Sequence, residues 1–219
     1  MTHFCAVRQY GGPTPTHSGF RRREVDGHDG PEQRRSTPLA AEEGAGTGGD
    51  GKNTEAEDPS TPRLLGEPTP TVGNGGIGRL ELTPTTVVYS KKGAGNDPEN
   101  DIFVAVTFKE RATTAVAAEE VPPMNGGGWS WIAQDGQAID SGDGRAFNVV
   151  PKGLTAAGPV QPGSFAWDTA VFDLTTAQAK GGGTLVYLDS EQTAYRWTIP
   201  AVDTGPQIAE LKSKLDADY

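Results

Sequence analysis

The chain has 219 residues, with 19 Lys and Arg against 29 Asp and Glu, a net charge of −10 and only 34% hydrophobic residues. Acidity on this scale repels phosphate backbones and argues against nucleic acid as a partner. A single cysteine, Cys5, excludes a disulfide framework, and no run approaches the roughly 18 consecutive apolar residues of a membrane-spanning helix.

Apolar residues are unevenly spread. Residues 1–76 carry few large ones, among them Phe4, Val7, Tyr10, Phe20, Val25, Leu39, Leu64, Leu65 and Val72, whereas all four Trp lie at or after Trp129. The first segment cannot bury enough area to offset a backbone entropy of roughly 1–2 kcal/mol per residue. Its 8 basic and 11 acidic residues give net −3, and the remaining 11 and 18 give net −7. Residues 1–35 mix Arg, His, Gly and acids without a hydrophobic period, and the Arg21-Arg22-Arg23 and Arg34-Arg35 runs read as a solvated tail. Residues 36–76 turn to Ser, Thr, Pro, Gly, Ala and Glu, as in Thr54-Glu55-Ala56-Glu57-Asp58-Pro59-Ser60-Thr61-Pro62, which is linker composition. A flexible chain of residues 1–76 would span roughly 50 Å root-mean-square.

Folding is expected to begin near Ile77. Leu80 and Leu82 alternate with Arg79, Glu81 and Thr83 as a half-buried strand, which Pro84 is expected to break before Thr85–Ser90 continues as an edge piece. Residues 91–100 read as a polar loop. Ile102, Val104, Val106 and Phe108 share one strand face, and Phe103, Ala105 and Thr107 the other, so this strand is expected to be central and covered on both sides. Residues 112–121 have the composition of a helical turn, which Pro122-Pro123 would end. Trp129-Ser130-Trp131-Ile132 followed by Asp135-Gly136 is a hairpin signal, and a second Asp-Gly at Asp143-Gly144 precedes Phe147-Asn148-Val149-Val150. The Pro162-Gly163 turn then leads into an apolar strand closing on Phe172-Asp173-Leu174, with residues 102–108 as its partner. Strands at Thr184–Leu188 and around Tyr195, Trp197 and Ile199 follow, and Ile208, Leu211 and Leu215 place a helix over residues 207–215. Seven or eight short strands with turns every 8–12 residues predict an all-β, immunoglobulin-like sandwich.

For chemistry the residue types are restrictive. His3, His17 and His28 all lie in the tail, as does Cys5, so the sandwich is expected to hold no Ser-His-Asp or Cys-His machinery and no imidazole or thiolate metal ligand. Asn96-Asp97-Pro98-Glu99-Asn100-Asp101 clusters oxygen ligands, but without alternating calcium-loop spacing it reads as a turn. Asp135, Asp140 and Asp143 read as hairpin residues. Gly126-Gly127-Gly128 and Gly181-Gly182-Gly183 lack the Lys-Ser/Thr ending of a phosphate loop. The sandwich acids read as solvated, and the Trp residues as core, with aromatic stacking on a sugar or partner surface as the alternative.

The order Gly-x-Leu-x-Leu, Ile102-Phe103-Val104-Ala105-Val106-Thr107-Phe108, Trp129-Ser130-Trp131-Ile132-Ala133-Gln134-Asp135-Gly136-Gln137, Val160-Gln161-Pro162-Gly163-Ser164-Phe165 with Phe172-Asp173-Leu174, and Tyr195-Arg196-Trp197-Thr198-Ile199-Pro200 resembles the telokin-like, immunoglobulin-fold domain of unknown function found in secreted bacterial, actinobacterial-type proteins and lipoproteins. The resemblance covers roughly residues 76–200 and carries no catalytic residues. It implies export, with residues 36–76 as the tether. Cys5 does not match a lipid-attachment motif, because Thr2-His3-Phe4 precedes it instead of a hydrophobic run.

The expectation is thus a tail and tether at 1–76, a sandwich at 77–203, and a helix and C-terminal tail at 204–219. The function expected is a non-enzymatic extracellular or cell-envelope binding or structural module, with a protein or envelope component as partner and no cofactor, metal or catalytic residue assigned. The alternative is a carboxylate-dependent surface enzyme acting on polysaccharide, and the alternative location is the cytoplasm. The N-terminus lacks the apolar core of a secretory signal, so membrane anchoring would require a signal upstream.

Overall fold

In a computed structural model, residues 58–59 and 61–218 are described. The expectations for residues 1–57 lie outside them. In chain order the elements are β1 (Arg63–Leu64), β2 (Thr69–Val72), β3 (Arg79–Ser90), β4 (Ile102–Ala112), β5 (Gly128–Ile132), β6 (Ala138–Asp140), β7 (Phe165–Leu174), α1 (Thr176–Ala179), β8 (Gly183–Leu188), β9 (Ala194–Ile199) and α2 (Ile208–Leu215). They form a four-stranded sheet, β2-β3-β4-β7, and a five-stranded sheet, β1-β9-β8-β5-β6.

The long apolar strands β4 and β7 pair antiparallel over their whole length, from Ile102↔Leu174 to Arg111↔Phe165. Strand alternation then sends Val104, Val106, Phe108, Ala170, Phe172 and Leu174 to one face. There they meet Trp129, Trp131, Leu185, Tyr187, Trp197 and Ile199 of the other sheet in one buried core. The opposite face of β3, β4 and β7 presents Val88, Phe103, Ala105 and Val171. These are covered by Ala146, Val149 and Leu154 of the β6–β7 connection and by Leu211 and Leu215 of α2. This double cover is why β4 reads as an almost unbroken apolar run.

Four features depart from the sequence reading. The fold starts before Ile77: β1 pairs parallel with β9 and β2 antiparallel with β3. Trp197 Nε1 donates to the Glu67 carbonyl at 3.0 Å, and Thr69, Thr71 and Val72 are buried. A Pro- and Thr-rich composition hid β2, whose partner β3 follows directly in the chain, and the partner of β1 lies far along it. Pro84 does not break β3. It sits at a register shift just beyond the stretch paired with β2, and its carbonyl accepts from the Gly66 N–H at 2.7 Å. Its nitrogen therefore faces away from β4, and the missing N–H removes no ladder bond. Residues 113–121 form no helical turn. They run as a loop pinned by Ala118, which exchanges both backbone hydrogen bonds with Val160 (3.1 and 2.8 Å), so pairing to a distant segment outweighs the local Ala and Glu preference. Finally, α1 was not foreseen, although Thr175 and Gln178 form a reciprocal capping box around its first turn.

Candidate functional site

Strand alternation does more than build the core. Continuing the inner face of β4 past Phe108 gives Glu110, and the inner face of β7 below Ala170 gives Asp168, directly opposite Phe108. Two carboxyl groups thus occupy core-facing positions at one end of the sandwich, diagonal to each other across the β4–β7 pair. A third arrives from the β4–β5 loop. The Ala118–Val160 bridge fixes the loop's course, and the Val121 N–H donates to the Tyr187 hydroxyl at 2.9 Å, which turns Glu120 inward. Gly128 lets the loop lie flat on β5. Its φ is 86°, and a side chain there would meet the Val121 carbonyl at 2.7 Å.

Carboxylate oxygens of Glu110, Glu120 and Asp168 all lie within 4.8 Å of one another. Glu110 is only 3% exposed, and its Oε1 has no hydrogen-bond partner among the described residues. Glu120 accepts from the Trp129 indole N–H through both oxygens, at 2.8 and 2.9 Å. Trp129 is held rigidly against Phe108, Tyr187 and Trp197, with ring centroids 4.6, 4.9 and 5.6 Å away. Asp168 accepts from the Thr169 N–H at 2.6 Å and from the backbone of Ala156. Two hollows meet at Glu120 and Asp168. One of about 230 Å³ is lined by Trp129, Pro122, Pro123 and Ser141 among others, and one of about 160 Å³ by Glu110, Glu119, Ala156 and Gly158.

Burial, then repulsion from Asp168, pushes the Glu110 carboxyl up to about 8. Burial and the charges of Glu110 and Asp168 hold Glu120 well above the ordinary carboxyl range, with the Trp129 N–H as a partial offset. Burial raises Asp168 to about 6 against the pull of its two backbone donors. Among the described residues, no Lys or Arg contributes to any of these shifts.

Two other deeply buried acids supply the contrast. Asp173 accepts from the N–H groups of Glu99, Asn100 and Arg145, at 2.8–3.1 Å. Asp189 accepts from the N–H groups of Val72, Glu191 and Thr193 and from the Tyr195 hydroxyl. Those carboxylates tie loops to the sheets. Among the described residues Glu110 ties no loop, and unmet hydrogen-bonding capacity in a buried acid is costly unless another group supplies it.

The loops singled out in the sequence have structural uses. Asp97 pairs with Lys92 at 2.8 Å in solvent, and Asp101 accepts from the Thr176 N–H at the start of α1. Asp135 accepts from the Gln137 N–H in the β5–β6 turn, Asp140 from the Ser130 hydroxyl, and the Asp143 carbonyl from the Ala146 N–H. Trp129, Trp131 and Trp197 are core residues. Trp167 is half-buried on the outer face of β7, edge-on to Phe165, which is 54% exposed and carries the Lys109 ammonium 4.4 Å above its ring. The expectation of solvated acids fails at Glu110, Glu120 and Asp168, which sequence reasoning misses. The signal was present for two of them, as charged residues at core-period positions, whereas Glu120 depends on the path of a loop. No family model, curated protein or solved structure matches this chain.

Proposed function

We propose that the domain is a non-enzymatic binding module, presented outside the cell on its N-terminal segment, which takes a positively charged group at the Glu110–Glu120–Asp168 hollow. The observation that carries this reading is the unpaired, buried Oε1 of Glu110 inside a cluster of three carboxyl groups. A cation is the ligand that would both satisfy that oxygen and relieve the repulsion. The immunoglobulin-like assignment is supported by strand order. β3-β4-β7 facing β9-β8-β5-β6 follows the A-B-E and G-F-C-C′ arrangement, with the buried Trp131 on the strand in the C position. The extracellular assignment rests on the resemblance to exported telokin-like domains and on the tether-like composition of residues 36–62.

The polysaccharide-hydrolase alternative has the paired acids in its favour. Against it stands the depth of the cluster, whose Glu110 is only 3% exposed. Glu110 is too deeply buried to reach a glycosidic oxygen, and the adjacent Trp129 is 4% exposed and offers no stacking platform. The test is retention of the full chain on envelope fractions of its native host. Wild type is expected to sediment with the envelope, and Glu120→Gln to remain in solution. Equal retention of both, or a native protein confined to the cytosol, would contradict the reading. Glycan, ester or peptide turnover abolished by Glu120→Gln would establish the alternative.

A further inference from the structure

We infer that the ligand of this hollow is a hard divalent metal ion of calcium's size, held by Glu110, Glu120 and Asp168. The inference rests on the reading of the hollow as a cation site and names the class of cation. The donor set is carboxylate oxygen only, which suits calcium, magnesium or manganese and gives no purchase to metals that prefer sulfur or imidazole. Oxygens no more than 4.8 Å apart can be brought around one ion at about 2.3–2.6 Å from each with side-chain adjustments alone. Magnesium demands tighter, near-octahedral geometry at about 2.0–2.1 Å, which three acids from two strands and a loop are poorly arranged to give. The unpartnered Oε1 of Glu110 is the second, independent pointer. It sits on a side chain 97% removed from solvent, whose carboxyl group lies among the other two and lines the smaller hollow.

Charge count favours a metal over an organic ammonium. Three ionised carboxylates with one ammonium leave two negative charges in a half-buried cleft, whereas a divalent ion leaves one. Three protein ligands leave about three or more calcium positions to water and carbonyl oxygens. That predicts the weak affinity of extracellular calcium modules, about 10⁻⁴–10⁻³ M.

Trp129 supplies the readout. Its indole nitrogen lies 2.8–2.9 Å from the Glu120 carboxylate, so an ion on Glu120 lies within about 5.3 Å of the indole nitrogen when about 2.4 Å is added for the metal–oxygen bond. Terbium, an oxygen-seeking ion of calcium's size, is luminescent when an adjacent indole absorbs for it. Titrating the full chain with terbium is expected to give Trp-sensitised emission saturating at one ion per chain and displaced by calcium. Calcium alone is expected to raise the melting temperature. Glu110→Gln and Asp168→Asn are each expected to weaken both effects roughly tenfold or more, with cooperative melting retained. Absence of emission, together with no calcium-dependent shift at roughly 10 mM, above the weakest range expected, would overturn the inference. So would emission that both variants leave intact, since the ion would then sit elsewhere. A parallel titration with propylammonium separates the two levels. Amine binding lost in Glu110→Gln, without any calcium effect, would overturn the metal and keep the cation site.

Discussion

Replacing Phe172 with alanine is expected to lower the unfolding free energy by about 3–5 kcal/mol. Phe172 is fully buried on the inner face of β7, opposite Val104 in the sheet and 6.0 Å from the Trp131 ring across the core. Neither neighbour can follow the lost ring, because β4 is fixed between two strands and Trp131 is tied through its Nε1 to the Gln178 carbonyl at 3.2 Å. The lost transfer energy and the cavity therefore add. Against a typical domain stability of about 5–15 kcal/mol this is a large fraction, and the melting temperature should drop by on the order of 10 °C. Asp97→Ala, which removes only a solvent-exposed pair with Lys92, is expected to leave the melting curve in place. Denaturant and thermal melts of the two variants check the contrast.

The second large effect concerns pH. In the metal-free protein Glu110 holds its proton up to about pH 8, whereas the unfolded chain releases it near pH 4. Between those limits the native state binds more protons than the unfolded state, so stability falls as pH rises. Asp168, raised to about 6, adds a change of the same sign over a lower window. The Glu110 contribution is present in full below about pH 4 and lost by about pH 8, and a shift of that size on so buried a group is on the order of a few kcal/mol. Glu110→Gln has no such proton to lose. It is expected to match wild type near pH 4 and to exceed it by roughly 1–3 kcal/mol at pH 8, part of the gain being lost because the amide also lacks partners. Urea melts across this range check the prediction, and a wild type that gains stability from pH 5 to pH 8 would reverse its sign.

Much of the architecture could be read from period alone. The alternation in β4 and β7 identified the antiparallel pair that carries much of the core, Asp135-Gly136 marked the β5–β6 hairpin, and Ile208, Leu211 and Leu215 marked α2. What could not be read depends on pairing. β1 and the β4–β5 loop are extended because distant partners, β9 and Val160, meet them, and β2 is a strand because the neighbouring β3 supplies a ladder to a Pro- and Thr-rich segment. The site divides in the same way. Glu110 and Asp168 fall on the core face by simple counting along β4 and β7, and a charged residue at such a position is the sign that a strand serves more than packing. Acids that turned out to be well satisfied, such as Asp173 and Asp189, are equally charged in sequence and equally buried in the structure. Only their hydrogen-bond partners distinguish a structural carboxylate from one held in reserve.

On the proposed reading, one cluster of acids, among many on an acidic surface, is built to receive a cation. Paramagnetic relaxation in the NMR spectrum of the full chain, with substoichiometric manganese as a calcium surrogate, tests it most directly. The Trp129 indole N–H and the backbone signals of Glu110, Glu120 and Asp168 are expected to broaden first, before those of residues 96–101 or 135–143. Broadening that begins at Asp97–Asp101, or that spreads evenly over the acidic surface, would contradict it.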